Sequence, residues 1–249
     1  MISLRPVASD MPPEDDFIRS PFCKSTLSIE DSIIEDGSGR EALVPKAVVS
    51  RLSLYLRELQ HLHRRDQKTI SSSKLGRALG FTAAQVRKDF AYFGQFGYPG
   101  IGYRCEELID QIKKILGTDK TWPVVLVGCG NMGQALLGYR GFAKQGFDVV
   151  AVVDVDENVL GKTFQGLEVE HIDRLPEIVK RHSLQVAILA VPATAAADAA
   201  DQILKSGITG ILNFAPVTLS VPKNVSMIEV DLAMELEQLA FSVFQNKNQ

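Results

Sequence analysis

The run Gly128-Cys129-Gly130-Asn131-Met132-Gly133 narrows the possible folds of this chain more than any other feature. It follows Val124-Val125-Leu126-Val127, a short β-branched stretch that reads as a buried strand. It opens a segment with helical patterning that extends to about residue 144. A strand that turns through such glycines into a helix meets specific geometric needs. Gly128 permits the tight turn, Gly130 lets backbone approach a pyrophosphate, and Gly133 lets the helix pack on the sheet. The first turn of that helix offers N–H groups free of helical partners and a partial positive charge. Asp154 closes the next apolar stretch, 149–153, where its carboxylate is placed to accept hydrogen bonds from ribose hydroxyls. It would repel a 2′-phosphate, and Val155 and Asp156 supply no cation to offset that. The spacing therefore favours NADH and NAD+ over their phosphorylated counterparts.

Beyond this loop, apolar runs and helical patterns alternate. Strands are predicted over 124–127, 149–153, 186–191, 208–213 and 227–230, with helices over 131–144, 172–181 and 194–205. Such alternation implies an α/β domain with a mostly parallel sheet covered on both faces. Val191-Pro192-Ala193 lies at the carboxyl end of a later strand, the side on which open α/β sheets bind ligands. Pro192 there can wall the nicotinamide side of a site or simply cap the strand. A last helix starts near Asp231, with Leu232, Leu236, Leu239, Val243 and Phe244 as its apolar stripe.

The first half of the chain differs in charge. Residues 1–42 carry net −5, residues 43–118 net +7 and residues 119–249 net −5. A compact basic segment between acidic ones points to a polyanion as its partner. Pro45 opens a helix whose Val48, Leu52, Tyr55, Leu59 and Leu62 form one stripe. Ser71 offers an N-cap for a short helix, and Thr82 with Gln85 has capping-box spacing for a third. On that third helix Val86, Phe90 and Phe93 face inward, leaving Gln85, Arg87 and Lys88 outward as candidate DNA contacts. The following glycine-punctuated stretch 94–103 reads as a β-ribbon, a wing, with Tyr98, Gly100 and Tyr103 as further candidate contacts. Three helices and a wing make a winged helix-turn-helix domain. Gly117 is placed to end the helix that leaves it.

Other classes find little support. No run of about 18 apolar residues is present, so no membrane span is expected, and the amino terminus lacks the pattern of a secretory signal. Cys23, Cys105 and Cys129 form neither a disulfide framework nor a metal-binding spacing, which suits the cytoplasm. His61, His63, His171 and His182 show no catalytic constellation, so neither a metal site nor a catalytic residue is assigned. Residues 1–42, with Pro12-Pro13, an acidic run and Gly37-Ser38-Gly39, are expected to be a flexible acidic extension.

From about residue 43 onward the chain resembles the Rex redox-sensing repressors. The resemblance is carried by Arg51-Leu52, Tyr55-Leu56-Arg57, Ile70-Ser71-Ser72, Gln85-Val86-Arg87-Lys88-Asp89 and Phe93-Gly94-Gln95-Phe96-Gly97. It continues through Gly100-Ile101-Gly102-Tyr103, the glycine loop, Val191-Pro192-Ala193 and Gly210-Ile211-Leu212-Asn213-Phe214-Ala215-Pro216. It implies a homodimer that represses transcription while NAD+ dominates and leaves its operator when NADH binds, with the cofactor sensed and not turned over. It also implies a C-terminal helix swapped between subunits. Arg57, Tyr139 and Asp231 match the residues that couple cofactor state to the DNA-binding domain, and Tyr139 and Asp231 join the candidate cofactor residues. The chain departs from the family where a basic pair usually follows the aromatic-glycine run of the wing, since Tyr98-Pro99 stands there.

The expected organisation is an extension over 1–42, a winged helix over 43–118, a Rossmann domain over 119–230 and a dimerisation helix over 231–249. The expected function is an NADH-responsive repressor acting on two operator half-sites. The alternative is an NAD-dependent dehydrogenase with an N-terminal interaction domain, for which Tyr139 and Asp231 are the candidate proton donors.

Overall fold

The computed structural model describes residues 32–35 and 41–247. Two short strands come first: β1 (Ser32–Glu35) pairs antiparallel with β2 (Glu41–Val44), Ser32 opposite Val44. β1 and the start of β2 fall within 1–42, the span expected to be a flexible acidic extension. The rest of the expected extension lies outside the described residues.

Helix α1 (Lys46–His63) begins after Pro45, whose φ of −62° suits a helix entry. It buries Val48, Leu52, Tyr55, Leu56 and Leu59. Strand β3 (Thr69–Ile70) leads to α2 (Ser72–Leu79), where the Ser71 hydroxyl accepts the Lys74 N–H at 3.2 Å. The helix ends at Gly80, whose φ of +74° suits the left-handed cap. Thr82 caps α3 (Ala83–Ala91) in the same way, accepting the Gln85 N–H at 3.1 Å. The chain then forms the wing and returns as β4 (Tyr103–Arg104), antiparallel to β3. Within the wing Tyr98 and Gly102 exchange backbone hydrogen bonds at 2.7 and 2.9 Å. Helix α4 (Cys105–Ile115) packs against α1 and stops before Gly117, at φ +68°. Phe90 is at the centre of the core, with ring contacts to Tyr55, Phe96 and Tyr103. Truncating such a side chain typically costs about 3–5 kcal/mol, so this cluster fixes α3 to the rest of the domain.

The second half contains β5 (Trp122–Val127), α5 (Asn131–Leu137), α6 (Gly141–Lys144), β6 (Phe147–Asp154), β7 (Thr163–Phe164) and β8 (Leu167–His171). It continues with α7 (Leu175–His182), β9 (Val186–Leu189), α8 (Ala193–Lys205), β10 (Gly210–Asn213), β11 (Ser226–Glu229) and α9 (Leu232–Lys247). The sheet order is β11-β10-β9-β5-β6-β8-β7, parallel except at the β7 edge. Val124 to Val127 are all buried because both faces of the sheet are covered, one by a core with Leu175, Ile178 and Ile203, the other by a core with Cys129 and Val169. From β5 the chain runs outward through β6 and β8, then crosses to β9 on the other side. The switch point, where ligands bind in such folds, therefore lies between β5 and β9.

Two expected helices are corrected. The helix expected over 131–144 is broken into α5 and α6, because Gly138 closes α5 and Gly141 opens α6. The break leaves Tyr139 exposed, its ring against the Gly141 Cα and edge-on to Phe142 at 5.1 Å. The segment 172–181 begins as a 3-10 turn, Ile172–Arg174, before α7. The two halves meet through hydrogen bonds from Gln145 to Gln60 and, beside the junction, from the Trp122 indole to the Gly117 carbonyl at 2.6 Å. Among the described residues no helix is long and apolar enough to cross a membrane.

Candidate functional site

The glycine loop sits at the switch point. Gly128 has φ +98°, and a Cβ there would lie 2.6 Å from the Ala190 carbonyl oxygen, so β5 and the end of β9 approach through it. A Cβ on Gly133 would strike the Gly128 carbonyl at 2.0 Å. A Cβ on Gly130 meets nothing within 4 Å, so this glycine keeps open a space that a side chain would fill. That is the arrangement a close-lying pyrophosphate requires. A cleft of about 420 Å³ opens beside it, lined by Gly130, Asn131, Met132, Val191, Pro192 and, from the far side, Phe214, Pro216 and Asp231.

Asp154 ends β6 at the rim of the loop. Its Oδ2 accepts the Cys129 N–H at 2.5 Å, while Oδ1 accepts the N–H groups of Val155 and Asp156 at 2.7 and 2.9 Å. The carboxylate thus fixes the glycine loop to β6 as well as facing solvent, a second duty that the sequence did not reveal. Of its roughly four acceptor positions these bonds leave one free on Oδ2 for a hydroxyl donor. Cys129 is fully buried, and burial, then the nearby Asp154 charge, push its thiol up, so the side chain packs and only its backbone belongs to the loop surface. The residues present fit an adenine dinucleotide lacking a 2′-phosphate.

The candidate nucleic-acid face is carried by α3. Arg87 and Lys88 are exposed, and Arg87 donates to the Ser72 hydroxyl at 3.0 Å, which ties α3 to α2. Gln85 is half-buried, and its amide donates to Asp89 at 2.7 Å in place of the free outward pose expected of it. Tyr103 is corrected more fully: it is 7% exposed and packs on Phe90, so its ring belongs to the core. The cause is strand alternation, which turns Tyr103 inward and Arg104 outward on β4. Burial also pushes the Tyr103 phenol up. Tyr98 and Gly100 remain exposed on the wing.

Asp89 is the residue that sequence reasoning missed. It is fully buried, and its carboxylate accepts four hydrogen bonds. Arg51 reaches it as a fork, Nε to Oδ2 at 2.6 Å and Nη2 to Oδ1 at 2.7 Å. The Tyr55 hydroxyl and the Gln85 amide each donate at 2.7 Å. Hydrogen bonding to Asp89 raises Arg51 further, and burial, then the bond to Asp89, push the Tyr55 phenol up. The network clamps α3 to α1 and so sets which face of α3 looks outward. Its signal was present in the sequence: Asp89 lies three residues beyond Val86, on the inward stripe, and Arg51 and Tyr55 are four apart on α1.

The three residues matched to coupling do not meet in one place. Arg57 and Tyr139 line one cleft of about 830 Å³ between the domains, along with Arg64, Lys113 and Arg140. Asp231 lies in the dinucleotide cleft, where its Oδ1 accepts the N–H groups of Ala233 and Met234 at 2.8 and 3.2 Å and caps α9. Tyr139 is therefore in a different cleft from the glycine loop's. Helix α9 buries none of its residues: Leu232, Met234, Leu236, Leu239, Phe241, Val243 and Phe244 are all exposed.

Fold and site together define a winged-helix protein with a dinucleotide-binding fold in the same chain. Comparison with known proteins agrees. Residues 43–91 match the family model described as "Putative DNA-binding protein N-terminus", and residues 119–217 match the CoA binding domain. The redox-sensing transcriptional repressor Rex of Carboxydothermus hydrogenoformans is 48% identical over 200 residues, 80% of this chain and 96% of the relative. The solved structure of RSP in complex with beta-NAD+ and operator DNA aligns with a TM-score of 0.78 at 35% identity, over 83% of this chain and 95% of that one. RSP in complex with beta-NADH aligns at 0.75 and 34% identity, over 83% and 97%. The chain belongs to the Rex family of redox-sensing transcriptional repressors.

Proposed function

We propose that this chain acts in the cytoplasm as a homodimeric repressor that holds operator DNA through its winged helices and releases it when NADH occupies the glycine-loop cleft. The observation that carries the reading is the pairing, in one Rex-family chain, of the open Gly130 cradle and Asp154 with exposed Arg87 and Lys88 on a clamped α3. RSP supports the direction of the switch, since it is known with NAD+ and operator DNA together and with NADH.

In this reading the loop from Gly128 to Gly133 and the start of α5 receive the pyrophosphate, Asp154 accepts from ribose hydroxyls, and Val191 and Pro192 wall the nicotinamide side. The cofactor supplies redox state as a signal, without turnover. Arg87 and Lys88 contact the major groove, and Tyr98 and Gly100 bring the wing alongside. Arg57 and Tyr139, facing one interdomain cleft, and Asp231, in the glycine-loop cleft, transmit the change of state.

The bare apolar surface of α9 supports a dimer. Seven large apolar side chains on one helix exceed what a monomer usually leaves in water. Exchange of α9 in a two-fold dimer buries both copies and links each cofactor domain to the opposite DNA-binding domain. Two winged helices then address half-sites about one helical turn, roughly 34–36 Å, apart. A gel shift with and without NADH tests the reading. A band that NADH removes and NAD+ spares is expected, whereas a dehydrogenase with an interaction domain gives no band.

A further inference from the structure

The wing lacks a basic pair after Gly97, yet a cation stands beside it. Arg104, on β4, places its guanidinium carbon 4.8 Å from the centroid of the Tyr98 ring. Its Nη1 donates to Glu107 Oε1 at 2.8 Å, and the Tyr98 hydroxyl donates to Glu107 Oε2 at 3.1 Å. The three side chains close a triangle on the surface of the wing, with Arg104 and Glu107 54% and 50% exposed. The hydrogen bond to Glu107 holds the Arg104 guanidinium firmly charged.

We infer that Arg104, carried on the Tyr98 ring, is the DNA-contacting cation of the wing, and that Glu107 opposes it. The inference rests on the reading of this domain as a DNA binder. Stacking fixes the plane of a guanidinium while using none of its five N–H donors. Glu107 occupies part of the fork, leaving donors for phosphate or groove-edge acceptors. An exposed ion pair is weak, so a polyphosphate can displace it. Glu107 acts against DNA twice, by holding Arg104 and by adding a negative charge beside phosphates. An acid in the first turn of α4 suits the helix dipole. That preference alone does not account for Tyr98, nine residues earlier, directing its hydroxyl to the same carboxylate.

The test uses the full chain and a fluorescein-labelled duplex that the wild type has selected from random-sequence DNA, with binding followed by anisotropy across a salt series. Arg104→Ala is expected to lower the slope of log affinity against log salt by about one and to weaken binding about eightfold near 0.1 M salt. Arg104→Lys keeps the slope, since the charge remains. Glu107→Gln tightens binding. NADH affinity and the melting temperature, measured alongside, stay at their wild-type values in Arg104→Ala. Wild-type slope and affinity in Arg104→Ala overturn the assignment, as does weakening by both Arg104→Ala and Glu107→Gln, which marks the cluster as a structural tether. If the wild type enriches no sequence from the pool, the DNA-binding reading itself falls, and this inference with it.

Discussion

Asp89 is the residue whose removal most directly tests how the DNA-binding domain is held together. Its carboxylate is fully buried and satisfies Arg51, Tyr55 and Gln85 at once. Asp89→Ala leaves a guanidinium, a buried phenol and an amide without their acceptor. Removing one partner of a buried ion pair costs roughly 3–5 kcal/mol. The Arg51 side chain is 17% exposed and regains some water, which moves the figure toward the low end. We expect a loss of about 3 kcal/mol, most of the roughly 5–15 kcal/mol that holds a domain folded at the low end of that range. For a domain of this size that lowers the melting temperature by roughly 12–24 °C.

Circular dichroism follows that melt, while Trp122, the single tryptophan, reports by fluorescence on the dinucleotide half, which should melt as in the wild type. Hydrogen exchange of peptides from α1 and α3 should show the loss of protection locally. Lys88→Ala, one residue away but exposed, should stay within about 0.5 kcal/mol of wild type. Replacing both partners, Arg51→Met with Asp89→Leu, should recover much of the loss, since the stranded charge disappears. If Asp89→Ala proves no worse than Lys88→Ala, the network does not organise the domain, and the account of how α3 is aimed is wrong.

Three further outcomes are expected. Asp154→Ala weakens NADH binding by about 1–3 kcal/mol and NADPH binding by less, read by calorimetry; equal losses would argue against a ribose contact. Arg87→Ala and Lys88→Ala each weaken operator binding, with a salt slope reduced by about one where a phosphate contact is lost or about 1–3 kcal/mol of discrimination lost where a base contact is; normal binding by both would remove α3 from the interface. Truncation after Val230 removes α9 and should give a monomer, by light scattering, that retains some NADH affinity and loses operator; a truncated dimer would refute the exchanged helix.

The legible parts of this chain were those whose signal is local. The glycine loop needs only a strand before it and a helix after it, and the α1 stripe from Val48 to Leu59 is a period any buried helix must show. The parts that escaped depend on tertiary contacts. Tyr103 and Arg104 are neighbours with opposite fates, and two residues of strand are too few to show which faces in. The break at Gly138 interrupts an otherwise helical pattern and leaves Tyr139 in the interdomain cleft beside Arg57 and Gln60, a placement no local period shows. Asp89 sits on the inward stripe of α3, and its partners Arg51 and Tyr55 lie more than thirty residues away on α1, so only the folded chain brings the acid to its donors. Arg104 escaped because its neighbour on the wing is Tyr98, six positions earlier, and only the antiparallel return of the chain brings them together.

The central claim is that the dinucleotide cleft and the DNA-binding face are thermodynamically linked. NADH can release DNA only if it binds the DNA-incompetent arrangement more tightly. By reciprocity, operator must then weaken NADH binding by the same factor, commonly about 5–150-fold for allosteric pairs. The direct measurement is an NADH titration of the intact protein with and without saturating operator duplex. A lower NADH affinity in the presence of operator, matched by an equal loss of operator affinity in saturating NADH, is the predicted result. Identical NADH affinities in the two titrations would contradict it and leave two uncoupled sites on one chain.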